Sequence, residues 1–293
     1  MRNDSPASLP RRKSIHLPDG LMSCLEWPSR RGATMLFAHA NGFNAETYRR
    51  LLGPLAGSVH ILAGDLRGHG FSTLPAAADA ATGWTVFRQD LIGGIRRTSR
   101  APVLLAGHSL GAIACLMAAA ECPDIVQALL LIEPVLIPPL RKGDEAGAGD
   151  LARRAERRRN VFSSFNAAFR AFHGRGIFAS WPDEVLADYL RGGLIDDGAG
   201  SLRLACAPRW EAAIFRAAPH DTAPLAAKAG CPITVVVGTK NSSTSESQLD
   251  VVRKLRPDAR IITAKGASHF VPMEQPDLVR EELVRLASLR AGR

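Results

Sequence analysis

The chain has 293 residues, which is enough for one large domain with a substantial insertion or for two small domains. Its 37 lysine and arginine residues outnumber its 28 aspartate and glutamate residues, but they are scattered, so the net charge of +9 predicts a solvated surface and no nucleic-acid partner. No apolar run reaches the length of about eighteen residues that a membrane span requires, and the five widely spaced cysteines without a CxxC pair predict free thiols in a cytoplasmic protein and no metal site.

The N-terminal segment is polar, contains two prolines, and has no apolar run behind its arginines. A secretory signal peptide needs such a run, so we predict a disordered tail over residues 1–13. The stretch from Ser14 to Trp27 is broken by the turn residues PDG and predicts an antiparallel hairpin at the edge of a sheet.

Short apolar runs then alternate with longer segments of helical periodicity. The apolar runs cover residues 34–39, 59–65, 102–108, 128–134, 232–238 and 259–265, and the helical segments cover residues 45–57, 84–99, 110–121, 246–256 and 271–290. Apolar strands without polar alternation are typical of parallel sheets covered on both faces, and repeated strand–helix units are typical of doubly wound folds. We therefore predict an α/β core domain, with a doubly wound and mostly parallel sheet, over residues 14–137 and 225–293.

The alternation stops between residues 138 and 224, where helical patterns and Gly-rich joints occur without a convincing strand. This segment predicts a helical cap inserted between two strands of the sheet. Four aromatic residues in it have the spacing of one helical face: Phe162, Phe165, Phe169 and Phe172. We expect this face to pack the cap onto the core domain or to line an apolar acyl site.

The pentapeptide GHSLG, residues 107–111, has the G-x-S-x-G pattern at the junction of a buried strand and a helix. Small neighbours allow a serine to occupy a sharp turn with its hydroxyl accessible at a helix N-terminus. The strand–turn–helix context therefore predicts that Ser109 is a nucleophile.

A serine hydroxyl is a weak nucleophile at neutral pH and needs a base within hydrogen-bond reach. His269 follows the last predicted strand and precedes the last predicted helix. Loops at the carboxyl ends of parallel strands lie at the same edge of a sheet. Among the eight histidines, His269 is therefore the predicted base.

Acyl transfer also needs hydrogen-bond donors aimed at the developing oxyanion. One predicted donor is the backbone N–H of Leu110, the residue after the nucleophile. The second is expected in the loop HANGFN, residues 39–44, where position favours the backbone N–H of Asn41 and leaves Phe43 as an alternative.

These motifs together resemble the α/β-hydrolase superfamily, and the resemblance covers nearly the whole chain. The matching pieces are HANGF at 39–43, DLRGHGFS at 65–72, GHSLG at 107–111 and GASHFVPMEQP at 266–276. The chain departs from the family pattern at Ala40, where glycine is usual. The resemblance implies the α/β-hydrolase fold, catalysis by a serine, a histidine and an acid, and no cofactor.

Most members of that superfamily carry the acid in the loop after the strand that is here 232–238. In this chain that loop contains the uncharged Asn241, and the acids that follow, Glu246 and Asp250, suit the first turns of a helix. This chain resembles instead a branch of the superfamily that includes some haloalkane dehalogenases. In that branch the acid lies on the strand that follows the helix after the G-x-S-x-G turn. Glu133 ends that strand here, so we expect Glu133 to be the acid and keep Asn241 as the alternative at this site.

A serine nucleophile predicts hydrolysis of a small or medium apolar carboxylic ester, thioester or lactone through an acyl-enzyme. Dehalogenase and epoxide hydrolase chemistry is not expected, because both need a carboxylate nucleophile. Three alternatives stay open: a carbon–carbon bond hydrolase, a cofactor-free haloperoxidase-like enzyme and a catalytically silent binding protein. The expected partner is a small apolar ester-like molecule, and a homodimer stays open.

Overall fold

The computed structural model describes residues 9–29, 32–136, 146–219 and 221–289. Its strands are β1 Arg11–Leu17, β2 Gly20–Trp27, β3 Thr34–Ala38, β4 His60–Gly64, β5 Val103–His108, β6 Val126–Ile132, β7 Val161–Phe162, β8 Leu194–Asp196, β9 Leu202–Leu204, β10 Ile233–Gly238 and β11 Arg260–Ala264. Eight of them form one sheet in the order β1-β2-β4-β3-β5-β6-β10-β11. The six strands from β4 to β11 in this order are parallel, which confirms the predicted doubly wound, mostly parallel sheet.

Helices cover both faces of this sheet. They are α1 Arg49–Leu52, α2 Thr85–Thr98, α3 Leu110–Glu121, α4 Ala146–Glu156, α5 Phe165–Phe172, α6 Asp183–Gly193, α7 Pro208–Arg216, α8 Leu225–Lys228, α9 Glu246–Leu255, α10 Val271–Glu274 and α11 Pro276–Ala287. Successive side chains of a strand point to opposite faces. Accordingly, Leu104 and Ala106 of β5 join one apolar cluster, whereas Val103 and Leu105 join the other.

Parallel pairing aligns the carboxyl ends of β5, β6 and β10. His108 is in register with Ile132, and Ile132 is in register with Val236. The loops that follow these strands therefore emerge side by side. We call this part of the molecule the carboxyl edge.

The first strand begins earlier than predicted, at Arg11, so residues 11–13 of the expected tail belong to the sheet, and residues 1–8 lie outside the described residues. The reason is that the basic residues pair with buried acids of the core. Arg12 bonds to Asp65 and Glu46, and both Arg11 and Lys13 bond to Glu26 on the neighbouring strand.

The described part of the chain between β6 and β10 contains a small three-stranded sheet, in the order β7-β9-β8, besides the five helices α4 to α8. The expectation that this segment lacks strands was therefore wrong. These strands are only two or three residues long, too short for a period-2 pattern. Phe162 lies in β7 and not on the helical face we predicted, because Ser164 caps the N-terminus of α5 with its side chain.

Candidate active site

Ser109 lies between β5 and α3 with φ of 55° and ψ of −113°, a backbone conformation that residues with a side chain rarely adopt. Two glycines allow this turn. A Cβ on Gly107 would overlap the backbone of Gly111, and a Cβ on Gly111 would overlap the carbonyl oxygens of Ala38 and His39. The GHSLG motif therefore holds Ser109 at a sharp turn of the carboxyl edge.

Helix α3 begins at Leu110, directly after Ser109. The first N–H groups of a helix have no partner within the helix. In the described part of the chain, the Leu110 N–H donates to no other group. The helix has twelve residues and is largely buried, so its N-terminus favours negative charge at this point.

His269 lies in the loop between β11 and α10, and its Nδ1 atom is 3.1 Å from Oε2 of Glu133. The Glu133 side chain is fully buried, and the His269 side chain is 21% exposed. The ring of His269 is also 4.9 Å from the ring of His108, the residue that precedes Ser109. The structure thus brings His108, Glu133 and His269, which are far apart in the sequence, to one place on the carboxyl edge.

The end of β10 and the loop that follows it supply most of the hydrogen bonds to Glu133. The Gly238 N–H donates to Oε1 at 2.5 Å, the Ser242 hydroxyl to the same oxygen at 2.9 Å, and the Ser243 N–H to Oε2 at 2.8 Å. Burial by itself raises the pKa of Glu133, but the hydrogen bonds from His269 and from these N–H groups outweigh it and lower the pKa below its ordinary value of 4.5. Glu133 is therefore a carboxylate at neutral pH.

The loop after β10 does not bring its own asparagine to His269. Asn241 is exposed, has a φ of 49° and makes no hydrogen bond to His269 among the described residues. The other acids considered, Glu246 and Asp250, both pair with Arg253 on the surface of α9. The support of Glu133 by this loop was missed in the sequence, where two adjacent serines after Asn241 do not show which side chain they will contact.

The loop of residues 39–44 supplies a second donor at the carboxyl edge. Three of its N–H groups already have acceptors: Ala40 donates to the Tyr48 hydroxyl, Gly42 to Nε2 of His69, and Phe43 to the Ala40 carbonyl. Within the ranges that the structure describes, the Asn41 N–H donates to no group. Of the two predicted alternatives, Asn41 therefore retains a free donor and Phe43 does not.

Two buried histidines fix this loop. His39 bonds through Nδ1 to the Ala40 carbonyl and accepts the Leu66 N–H at Nε2, while His69 accepts the Gly42 N–H at 3.0 Å. Burial lowers the pKa of His69 to about 4 and that of His39 well below 6.5. Both rings are therefore neutral at neutral pH and link backbone segments.

A family model described as the alpha/beta hydrolase family matches residues 35–282. The chain belongs to this family. It is 27% identical over 249 residues to a 2-(acetamidomethylene)succinate hydrolase of Mesorhizobium japonicum, an alignment that covers 84% of this chain and 85% of the relative.

Solved structures share the fold of this hydrolase. The crystal structure of an E-2-(acetamidomethylene)succinate hydrolase has a TM-score of 0.81 and 24% identity, covering 96% of this chain and all of the other. A thioesterase domain from the curacin biosynthetic pathway has a TM-score of 0.79 and 17% identity, covering 95% of this chain and 99% of the other. At these identities the likeness establishes the α/β-hydrolase fold alone.

The segment between β6 and β10 of the hydrolase packs onto the carboxyl edge through aromatic rings. Phe43 of the 39–44 loop contacts Trp181 and Tyr189, with ring centroids 5.2 and 5.8 Å apart. Trp181 also contacts Phe270, the residue after His269, at 5.8 Å. Aromatic rings therefore lie beside both His269 and the 39–44 loop.

Three arginines of the core and of the segment between β6 and β10 are paired with acids. Arg67 bonds to Asp90, Arg88 to Glu121 and Arg158 to Glu211. Each positive charge is compensated inside the protein, which leaves none of these three side chains as an unpaired cation.

No group of three or more histidine, cysteine, aspartate or glutamate side chains in the described ranges is arranged to bind a metal. No helix in the same ranges is both long and apolar enough to cross a membrane.

Proposed function

We propose that this protein is a serine hydrolase that cleaves its substrate through an acyl-enzyme. In this proposal Ser109 is the nucleophile, His269 the general base, Glu133 the acid, and the N–H groups of Leu110 and Asn41 form the oxyanion hole. The observation that carries the proposal is the hydrogen bond of 3.1 Å between His269 and a fully buried Glu133, at the edge where Ser109 occupies its sharp turn.

The reaction follows from these positions. Ser109 Oγ attacks the substrate carbonyl as Nε2 of His269 takes its proton, and the carbonyl electrons move onto the oxygen, which accepts the Leu110 and Asn41 N–H groups. The bond from the former carbonyl carbon to the leaving group, C–O in an ester or lactone and C–S in a thioester, breaks as His269 returns the proton to the leaving group. Water then attacks the acyl-enzyme with the same base, releasing the acid and Ser109. Glu133 stabilises the imidazolium formed in both halves.

The proposed substrate is a small or medium apolar carboxylic ester, thioester or lactone. Support comes from the aromatic rings of Phe43, Trp181 and Phe270 close to His269. The pairing of Arg158 with Glu211 also favours an uncharged acyl group, because a substrate anion would have to compete with an internal carboxylate. All five cysteines are free, which supports a reducing, cytoplasmic location.

The second candidate is hydrolysis of an amide-type or carbon–carbon bond. It is favoured by the similarity to the 2-(acetamidomethylene)succinate hydrolase of Mesorhizobium japonicum over 84% of this chain. The same nucleophile, base and oxyanion donors would serve this chemistry, so the leaving group distinguishes the two candidates.

Turnover of p-nitrophenyl esters of rising acyl length, together with 2-(acetamidomethylene)succinate, tests the proposal against the control Ser109→Ala. We expect serine-dependent hydrolysis of esters. Turnover of the succinate compound alone would favour the second candidate. The absence of Ser109-dependent turnover on every compound, together with no labelling of Ser109 by a fluorophosphonate, would replace the enzyme with a binding protein.

A further inference from the structure

Three loops of the carboxyl edge are joined by one buried chain of hydrogen bonds. The Ala40 N–H donates to the Tyr48 hydroxyl at 3.1 Å, this hydroxyl lies 2.7 Å from Nδ1 of His108, and Nε2 of His108 lies 2.8 Å from the carbonyl oxygen of His269. Tyr48 and His108 are 1% and 0% exposed, so no bulk water competes for these atoms. These hydrogen bonds run from Ala40, which precedes Asn41, through His108, which precedes Ser109, to His269 itself.

Only one arrangement of protons satisfies every member of this chain. The carbonyl of His269 can only accept, so Nε2 of His108 carries the hydrogen and Nδ1 is an acceptor. The Tyr48 hydroxyl therefore donates to Nδ1 while its oxygen accepts the Ala40 N–H. Burial lowers the pKa of His108 to about 3, so the ring is in the neutral form that this arrangement needs at neutral pH.

We propose that Tyr48 and His108 are positioning residues that set the distance between the oxyanion loop, Ser109 and His269. This inference rests on the function proposed above. Neither side chain reacts with the substrate; both act through the backbone segments that they hold.

The other hydrogen bonds of the His269 loop show why the bond from His108 is needed to fix His269 relative to Ser109. The Ala267 carbonyl accepts the N–H groups of Thr239 and Lys240, and the Ser268 N–H donates to Glu274. These contacts tie the loop to β10 and α10. Among the described residues, the bond from His108 is the one that ties His269 to the strand carrying Ser109. Its loss would let the base move relative to the nucleophile, and such displacements reduce turnover sharply.

Two substitutions of His108 separate positioning from packing. In His108→Gln the amide nitrogen can take the place of Nε2 and still donate to the His269 carbonyl, whereas in His108→Asn the shorter amide reaches Tyr48 only. Both remove the same buried ring. We expect His108→Gln to keep kcat within about threefold of the parent and His108→Asn to lose roughly tenfold to a hundredfold, with KM within about threefold in both.

The readouts are p-nitrophenyl acetate turnover and the rate at which a fluorophosphonate labels Ser109, with thermal unfolding measured in parallel. His60→Asn is the control, since His60 lies at the start of β4, away from the carboxyl edge, and pairs with Glu26. Equal kcat values for the Gln and Asn variants, or a loss confined to KM, would overturn the inference. An inactive and unlabelled parent would instead refute the proposed function and the inference that rests on it.

If both His108 variants fail to fold, Tyr48→Phe decides, because it removes a single oxygen atom. We expect roughly a tenfold loss of kcat with unchanged KM. Parent-like kcat and labelling rate in a folded Tyr48→Phe protein would contradict the positioning role.

Discussion

Two parts of the carboxyl edge lie side by side but are built in opposite ways. We call the turn at residues 107–111 the elbow, and we call Glu133 with its hydrogen-bond partners the acid site. The elbow depends on five contiguous residues, 107–111, whose glycines permit the turn of Ser109. The acid site is assembled from distant parts of the chain: Gly238 lies 105 positions beyond Glu133, and His269 lies 136 positions beyond it. A local motif is visible in one stretch of sequence, whereas a site formed by strand pairing becomes visible only in the fold.

Gly111→Ala tests the elbow, and we expect it to have the largest effect on turnover. Its Cβ would overlap the Ala38 carbonyl, a backbone atom that cannot move aside without disturbing β3. We expect near-complete loss of turnover and a decrease of about 1–3 kcal/mol in the free energy of unfolding, measured by urea denaturation.

Gly94→Ala is the matched control for that substitution. Its Cβ would have no neighbour closer than 3.9 Å, and Gly94 lies inside α2. Because alanine is the better helix former, we expect parent-like turnover and a gain of about 0.5–1 kcal/mol. Equal effects of the two alanines would contradict the close approach at the elbow.

The double variant Ser242→Ala/Ser243→Ala tests the acid site, which is assembled from distant parts of the chain. It removes two hydroxyl donors to the Glu133 carboxylate and leaves the N–H groups of Gly238 and Ser243 in place. We expect kcat to fall roughly tenfold and the free energy of unfolding to fall by about 1.5–3 kcal/mol, since hydrogen bonds to charged groups are the stronger ones.

Ser247→Ala is the control for the serine pair, because Ser247 is exposed on α9. It should change stability by less than about 0.5 kcal/mol. Parent-like kcat and stability in the double variant would show that the loop after β10 does not support the acid.

The two regions also differ in the pH range where they lose stability. The pKa of His108, at the elbow, is about 3 in the folded protein against an ordinary 6.5, so the unfolded chain binds this proton first and stability falls as pH drops below 6.5. The pKa of Glu133 is lowered from 4.5, so its contribution is present above 4.5 and lost below that value.

Urea denaturation at several pH values distinguishes these two contributions. His108→Gln should flatten the loss of stability between pH 6.5 and 4.5, and Glu133→Gln should flatten it below pH 4.5. Parallel pH profiles for the parent and both variants would show that neither group titrates as its surroundings indicate.

Most of the sheet was predictable, because each parallel strand is a continuous apolar run between helical segments. The positions of Ser109 and His269 at the carboxyl edge were predictable for the same reason: each lies in the loop or turn that follows a strand that can be recognised. The support of Glu133 by Ser242 and Ser243 was not, because nothing in sequence order shows which loops become neighbours after strand pairing. The start of β1 was also missed. A basic residue in a polar segment is usually solvated, and the sequence does not show that Arg12 pairs with the buried Asp65.

The central claim is that Glu133 serves as the acid, and kcat for Glu133→Gln and Asn241→Ala on the same ester tests it most directly. Glutamine keeps the shape of the side chain but cannot stabilise the imidazolium of His269, so we expect a loss on the order of 10³–10⁴ in kcat with KM little changed. Asn241→Ala should stay within about twofold of the parent, because Asn241 is exposed. An active Glu133→Gln enzyme beside an inactive Asn241→Ala enzyme would contradict the assignment.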